Sequence, residues 1–220
     1  MTSNAPLIGL FGGTFDPVHY GHLRTAIEAS EYLGLDQLRF MPCGKPPHAK
    51  TPGATPEQRF TMLKLALNGE GTPNILVDDT EIKAAEQLSY TYLTLTTLQR
   101  EEPEAIWVLL LGRDAFAKFD QWYRWRELLN LCHLGILTRP GSDAVHHEAM
   151  RQRLGLRTSF DFKELRSQSH GLLADVPVTP LTLSSSEIKR KIQAGLNPRF
   201  LTPDDVLDFI DSQRLYRSRK

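Results

Sequence analysis

Short, largely apolar runs alternate with longer segments of mixed character along this chain. The runs lie at 7–11, 38–41, 74–78, 105–111, 134–138 and 172–178. They are continuous rather than alternating, which is typical of strands buried on both faces of a parallel sheet. The pattern therefore predicts six parallel strands, of which 105–111 is the most apolar.

The segments between these runs carry helix signals. The helix that starts after Thr55 has the clearest beginning, since Thr55 suits the N-cap, Pro56 the first helical position and Gln58 the reciprocal capping bond. The other predicted helices span 21–33, about 89–100, 143–154, 184–195 and a segment from 202. Strands that alternate with helices predict an α/β fold with a doubly wound parallel sheet and C-terminal helices. The polar stretch 157–171 is predicted to be irregular or surface-exposed.

Composition limits the classes of partner. The 220 residues include 26 basic and 26 acidic side chains, so the net charge of zero argues against nucleic-acid or membrane-surface partners. Two distant cysteines without a CxxC pair favour a reducing compartment. The N-terminus lacks a basic signal-peptide region, and no run reaches the length of a membrane span. We expect one cytoplasmic domain over 1–220, with a C-terminal helical part at about 184–216.

The segment between the first strand and the first helix reads GGTFDPVHYGHL, residues 12–23. A glycine turn and a helix start at the carboxyl end of a parallel strand form an anion site, because free N–H groups and the helix dipole both favour negative charge. His19 and His22 lie about one turn apart and can both donate to phosphate oxygens. Two unrelated histidines or a zinc site are the alternatives, although no further ligand has suitable spacing. Neither a P-loop nor a GxGxxG fingerprint is present.

A second motif, LSSSEIKR, occupies residues 183–190. Ser184 and Glu187 fit a capping box, which is a purely structural explanation. Lys189 and Arg190, however, stand in the first turns of the predicted helix, where cations oppose the helix dipole. An anion beside this helix start would explain them.

Further candidate groups follow other predicted strands. Asp114, after Gly112 and Arg113, is predicted either to accept ribose hydroxyls or to cap a helix. One of Trp122 and Trp125 is expected in the core, and the other is free to stack on a flat ring. Weaker candidates are a carboxylate site at Ser89-Tyr90-Thr91, a proline-stiffened lid with Lys45 and His48, and a phosphate ligand at Arg139.

These motifs together resemble the HxGH nucleotidyltransferase superfamily, whose second signature is usually ISSTxIR. The PPH, SYT, GRDAF, WYRWREL and TRPG segments are similar to those of bacterial nicotinate-nucleotide adenylyltransferases. The resemblance covers nearly the whole chain and implies a Rossmann-like fold. It implies transfer of AMP from ATP to nicotinate mononucleotide, with Mg²⁺, giving deamido-NAD and pyrophosphate in NAD biosynthesis.

The resemblance also implies roles for individual residues, with His19 and His22 as the catalytic contacts to the ATP phosphates. The implied ATP site comprises Gly13, Thr14, Phe15, Gly112, Asp114, Ser184, Ser185, Ser186 and Lys189. The substrate site comprises Lys45, His48, Tyr90, Thr91, Trp122 and Arg139, with Tyr90 and Thr91 at the nicotinate carboxylate and Trp122 on the pyridine ring. No protein metal site is expected.

Two positions depart from the family pattern. Lys189 stands where the family has arginine and so lacks its bidentate fork, and Arg113 stands where a small residue is expected. The competing functions are another HxGH adenylyl- or cytidylyltransferase and a non-catalytic nucleotide sensor. A class I aminoacyl-tRNA synthetase is disfavoured by the missing KMSKS-like loop and the short chain. We expect a monomer or small homo-oligomer.

Overall fold

The computed structural model describes residues 5–46, 51–68, 74–84, 86–138, 144–159 and 162–217. Its centre is a parallel sheet whose strands lie in the order β3-β2-β1-β4-β5-β7-β6. The strands are β1 (Leu7–Gly13), β2 (Gln37–Pro42), β3 (Ile75–Val77), β4 (Ile106–Gly112), β5 (His133–Thr138), β6 (Arg157–Ser159) and β7 (Leu172–Pro177). The predicted doubly wound α/β fold is confirmed.

Helices cover both faces of the sheet. The longer ones are α1 (Tyr20–Leu33), α2 (Pro56–Ala66), α4 (Thr91–Glu101), α7 (Ala144–Leu154), α9 (Ser185–Gln193) and α10 (Asp204–Ser212). The short helical turns are α3 (Thr80–Lys83), α5 (Arg113–Phe116), α6 (Trp125–Leu128) and α8 (Phe162–Leu165). The sequence predicts a helix near Asp114 as one alternative and does not predict the other three. Among the described helices, none combines the length and apolar character that a membrane span requires.

Burial on both sheet faces explains the continuous apolar runs. In β4, Ile106, Val108 and Leu110 belong to one hydrophobic cluster, whereas Trp107, Leu109 and Leu111 belong to a second cluster on the opposite face. The first cluster also includes apolar residues of α1, α2 and α10. The strand therefore meets no water on either side, as its sequence predicts.

The stretch 157–171 is not irregular, but its described side chains, apart from Leu165, are exposed or half-buried, in line with the alternative prediction of a surface segment. It contains β6, which pairs with the edge of β7 through Arg157 and Leu172, and the helix α8. A three-residue edge strand with polar side chains lacks the apolar run that marks a buried strand, so its pairing depends on β7 rather than on local pattern.

The helix α2 begins as predicted. The Thr55 hydroxyl accepts a hydrogen bond from the Gln58 N–H at 3.3 Å, and the Gln58 side chain accepts one from the Thr55 N–H at 2.9 Å. This reciprocal pair satisfies two N–H groups that otherwise lack partners at a helix start.

The order of the strands places a crevice between β1 and β4. The chain leaves β1 for β2 on one side and later returns to β4 on the other. Connections diverge at such a switch point, so the carboxyl ends of the two strands are left open to a ligand.

Candidate active site

Two adjacent cavities open at the carboxyl ends of β1 and β4, and Gly112 lines both. The larger, of about 560 Å³, is here called the histidine cavity, and its walls include His19, Gly21, His22, Thr25, Arg113, Asp114, Ser184, Ser185 and Ser186. The smaller, of about 250 Å³, is called the tryptophan cavity, and its walls include Gly13, Thr14, Cys43, Glu81, Ser89, Thr91 and Trp122. The fold thus brings the motifs of the sequence to one edge of the sheet.

His19 and His22 form a stacked pair at the start of α1. His19 is the N-cap residue and is 5% exposed, and the two ring centroids lie 3.6 Å apart with an interplanar angle of 21°. The backbone N–H of His19 donates to Nδ1 of His22 at 3.3 Å. Because Nδ1 accepts, the neutral His22 ring carries its proton on Nε2. His22 is therefore set to donate a hydrogen bond to an anion at the helix N-terminus.

Phe15 supports His22 from the core. Its ring is 3% exposed and meets the His22 ring edge-on at a centroid distance of 5.0 Å. It also packs against Phe11 and Phe40. Its φ of 50° is unusual for a side chain of this size and is held in place by this packing. A contact between Phe15 and a nucleotide stays a prediction.

Gly21 lets the two imidazoles approach the helix start. A Cβ at this position would lie 3.0 Å from two atoms of the His19 ring, which is closer than ordinary contact. Alanine usually stabilises a helix relative to glycine by about 0.5–1 kcal/mol. Any loss of activity or stability on replacing Gly21 by alanine would therefore come from displacement of the His19 ring.

For the adenylyl transfer that the sequence resemblance implies, we expect Gly21→Ala to lower kcat by about tenfold or more, because small displacements of positioned groups are costly in catalysis. The thermal midpoint of unfolding should change little. Glu31→Ala, at an exposed position of the same helix, is the control and should leave kcat unchanged. Equal kcat values for Gly21→Ala and the wild-type protein would contradict a fixed position for His19.

The three serines bring the start of α9 to the histidine cavity. The Ser184 hydroxyl accepts from the Glu187 N–H at 3.2 Å, and the Ser185 hydroxyl donates to the Pro17 carbonyl at 2.8 Å. Ser184 caps the helix as predicted, but the described residues show no reciprocal bond from Glu187 to Ser184, so the predicted capping box is only half formed. The N-termini of α1 and α9 consequently face one cavity, which favours an anion there.

Asp16 is the anion that lies beside Lys189. The Lys189 ammonium donates to Asp16 Oδ2 at 2.7 Å and lies 5.7 Å from the centroid of the Tyr216 ring. Asp16 is 4% exposed and also accepts hydrogen bonds from the Gly53 and Ala54 N–H groups and from the Tyr216 hydroxyl. Burial alone raises the pKa of this carboxyl, but its donors outweigh burial and lower the pKa below its ordinary value.

The sequence did not assign a role to Asp16, although it lies inside the first motif. Its partners explain why, because Lys189 and Tyr216 are 173 and 200 residues away along the chain. A contact between Lys189 and phosphate stays a prediction.

The Gly112-Arg113-Asp114 turn forms another wall of the histidine cavity. Gly112 is the N-cap of α5 and Asp114 lies in its first turn, so the alternative that Asp114 caps the helix is wrong. The Asp114 side chain is exposed and lines the cavity, together with Arg113. The unusual Arg113 therefore faces the site.

The tryptophan cavity joins a flat ring to a helix N-terminus. Trp122 is half-buried against Phe119, with ring centroids 5.5 Å apart, while Trp125 also packs on Phe119 at 6.4 Å. Thr91 is the first residue of α4, and its N-cap Tyr90 packs against Tyr123 at 4.8 Å. An aromatic face and free N–H groups at a helix start suit a planar anion.

Cys43 and Glu81 also line this cavity, and the sequence did not single them out as site residues. Burial raises the pKa of Cys43 to about 11 and keeps its thiol neutral. Burial also raises the pKa of Glu81, although Thr94 donates to its carboxylate at 2.7 Å. Only the tertiary structure shows that these groups line the cavity.

Lys45, another predicted substrate residue, is not among the described residues that line either cavity. The Lys45 side chain is exposed, and its backbone N–H donates to the Ser89 hydroxyl at 3.2 Å. His48 and Arg139 lie outside the described residues. Over the described ranges, no group of three or more histidine, cysteine, aspartate or glutamate side chains is arranged to hold a metal ion.

Comparison with known proteins identifies the family. A cytidylyltransferase-like family model matches residues 10–191. Probable nicotinate-nucleotide adenylyltransferases are similar over nearly their whole length. The protein of Pseudomonas syringae pv. tomato is 42% identical to this chain, and the match covers 99% of this chain and 97% of that protein. The protein of Cellvibrio japonicus is 43% identical, and the match covers 96% of this chain and 99% of that protein.

A solved structure shares the fold. The nicotinic acid mononucleotide adenylyltransferase of Plasmodium falciparum, complexed with NaAD, superposes with a TM-score of 0.74 at 17% identity and covers 96% of this chain and 97% of its own. Identity this low supports the fold alone, whereas the bacterial relatives determine the family. The chain therefore belongs to the nicotinate-nucleotide adenylyltransferase family, within the cytidylyltransferase-like proteins.

Proposed function

We propose that this protein transfers AMP from ATP to nicotinate mononucleotide, giving deamido-NAD and pyrophosphate in NAD biosynthesis. The observation that carries the proposal is the pair of cavities that meet at Gly112, one lined by stacked histidines and the other by Trp122 and the start of α4. The names of the bacterial relatives and the complex of the Plasmodium falciparum protein with NaAD support it.

The reaction depends on aligning the two substrates more than on activating the nucleophile. The phosphate of the mononucleotide is already an anion, so it can attack the α-phosphorus of ATP without a general base. The P–O bond to the β-phosphate breaks, and pyrophosphate leaves. The protein's task is to hold the two reactants in line and to stabilise the charge of the transition state.

The histidine cavity supplies that stabilisation. His22 donates through Nε2 to the α-phosphate, His19 assists, and the N-termini of α1 and α9 favour the triphosphate. These groups are positioned before the substrate arrives, since the His19 N–H fixes the His22 ring and the Ser185 hydroxyl fixes α9. A neutral donor in a preorganised site stabilises developing charge without reorganising.

The tryptophan cavity supplies selectivity. Trp122 stacks on the pyridine ring, and the N–H groups at the start of α4, at Tyr90 and Thr91, bind the nicotinate carboxylate. An amide in place of the carboxylate lacks the negative charge that this helix start favours. The enzyme should therefore prefer the acid over the amide.

The histidine cavity suits a magnesium ion that arrives with ATP. Asp114 is the only carboxylate among the described residues that line it. Mg²⁺ is commonly held by one or two carboxylates, water and the substrate's own phosphates. When bound, the ion would neutralise charge on the leaving pyrophosphate, and Asp114 and the three serine hydroxyls would offer oxygens to it or to its waters.

Pyrophosphate release with ATP and Mg²⁺ tests the function against a panel of acceptors: nicotinate mononucleotide, nicotinamide mononucleotide and 4′-phosphopantetheine. We expect the highest kcat/KM with nicotinate mononucleotide and little release with CTP in place of ATP. A preference for phosphopantetheine would assign another transferase of the superfamily, and binding of ATP without turnover of any acceptor would indicate a nucleotide sensor.

A further inference from the structure

Arg59 is a fully buried arginine on α2, outside the lining of both cavities. It is 0% exposed, and its two terminal nitrogens donate to the Thr14 carbonyl at 2.9 Å and to the Gly44 carbonyl at 3.0 Å. Its Nε has no hydrogen-bond partner among the described residues, and the Asp16 and Glu57 carboxylates stabilise its charge electrostatically. Burying a guanidinium is costly, so the two carbonyl contacts and this attraction together offset that cost.

Ser89 holds the same loop from the opposite side. The N–H groups of Gly44 and Lys45 donate to the Ser89 hydroxyl at 3.0 and 3.2 Å, and the Ser89 N–H donates to the Lys45 carbonyl at 2.9 Å. Gly44 is therefore fixed at its N–H by Ser89 and at its carbonyl by Arg59. We call this arrangement the Gly44 clamp.

The clamp connects three segments that wall the tryptophan cavity. Thr14 belongs to the turn after β1, Cys43 precedes Gly44 in the loop after β2, and Ser89 precedes α4, and all three line that cavity. The described lining of the histidine cavity, by contrast, comes from α1, α9, the β4–α5 turn and residues near the ends of β1, β5 and β7. The clamp therefore acts on one cavity far more than on the other.

We propose that Arg59 is a positioning residue that shapes the mononucleotide site by clamping Gly44 against Ser89. This inference rests on the proposed function, because it assigns the tryptophan cavity to the mononucleotide. Loss of the clamp loosens Thr14, the Cys43 loop and the start of α4 relative to one another. Although the resemblance assigns Thr14 to ATP, Thr14 lines the tryptophan cavity and not the described wall of the histidine cavity. The KM for nicotinate mononucleotide therefore rises, while the KM for ATP changes little.

The principal test is Arg59→Lys, since a lysine keeps the charge but lacks the fork that spans two carbonyls. We expect the KM for nicotinate mononucleotide to rise about tenfold or more, as for loss of a charged hydrogen bond. The KM for ATP and kcat should stay within about threefold of wild type. Arg166→Lys is the control and should leave both KM values unchanged. Arg166 also holds two carbonyls, those of Ala5 and Gly34, and in addition pairs with Asp36, at the opposite edge of the sheet.

Variants of Ser89, the other side of the Gly44 clamp, test the same contact if Arg59→Lys does not fold. Ser89→Ala should also raise the KM for nicotinate mononucleotide selectively, whereas Ser89→Thr should keep it near the wild-type value. The control is Ser167→Ala, which removes a hydroxyl that donates to the Glu164 carbonyl and should change neither KM. If both single variants fold, their combined effect should be smaller than the product of the two single effects, because both act on one peptide unit.

The outcomes separate the two proposals. Wild-type protein that does not turn over nicotinate mononucleotide would refute the proposed function and the clamp together. An active wild type with folded Arg59→Lys and Ser89→Ala variants that leave both KM values unchanged, or raise them equally, would refute the clamp alone.

Discussion

Alanine in place of His22 is expected to lower kcat by about 10²–10³-fold, the usual effect of removing one preorganised donor from a developing anion. The ring is held by the His19 N–H at 3.3 Å and by the edge of Phe15, so its Nε2–H is aimed before substrate binds. The loss should appear in kcat rather than in KM, because the contact strengthens as charge develops in the transition state.

The control for His22→Ala is His170→Ala, an exposed histidine in a loop that precedes β7. It should leave kcat unchanged. Circular dichroism and thermal unfolding of the His22 variant should match wild type, since the ring lines a cavity rather than filling the core. A folded His22→Ala enzyme with nearly normal kcat would remove His22 from the chemistry.

Asp16→Ala is expected to lower the free energy of unfolding by about 3 kcal/mol or more, the range for breaking a buried charge pair. The change leaves Lys189, the Tyr216 hydroxyl and the N–H groups of Gly53 and Ala54 without their shared acceptor. Urea unfolding measures the loss. Asp211→Ala removes only an exposed ion pair and should cost far less.

The pH dependence of stability gives Asp16 a separate signature. Its folded pKa lies below the ordinary value of 3.8, so its stabilising effect is fully present above that value and is lost as pH falls through the folded pKa. The stability difference between wild type and Asp16→Asn should therefore be constant near neutral pH and shrink only below about pH 4. A difference that already shrinks between pH 7 and 5 would contradict the lowered pKa.

The buried strands and the apolar edge strand β3 could be predicted from the sequence, whereas the polar edge strand β6 could not. Residues 106–111 are all buried and form a continuous apolar run. Such a run can be recognised as a strand without knowing which strands lie beside it. Arg157–Ser159 is a strand only because β7 offers its edge, and nothing in those three polar residues signals that partner.

The same distinction holds at the site. His19, His22, Ser184 and Trp122 stand in local motifs whose spacing indicates chemistry, and the structure places each of them at a cavity. Arg59 is a single basic residue in a helix, and its partners are carbonyls 45 and 15 residues away. Supporting contacts of this kind depend on the folded chain, so sequence spacing does not reveal them.

Adenylyl transfer to the mononucleotide is tested most directly with nicotinate mononucleotide that carries ¹⁸O in its phosphate. Mass spectrometry of the products from ATP and Mg²⁺ should find deamido-NAD that retains all of the label and pyrophosphate that contains none, because the labelled phosphate attacks the α-phosphorus. Label in the pyrophosphate, or release of pyrophosphate without a labelled dinucleotide, would contradict the proposed reaction.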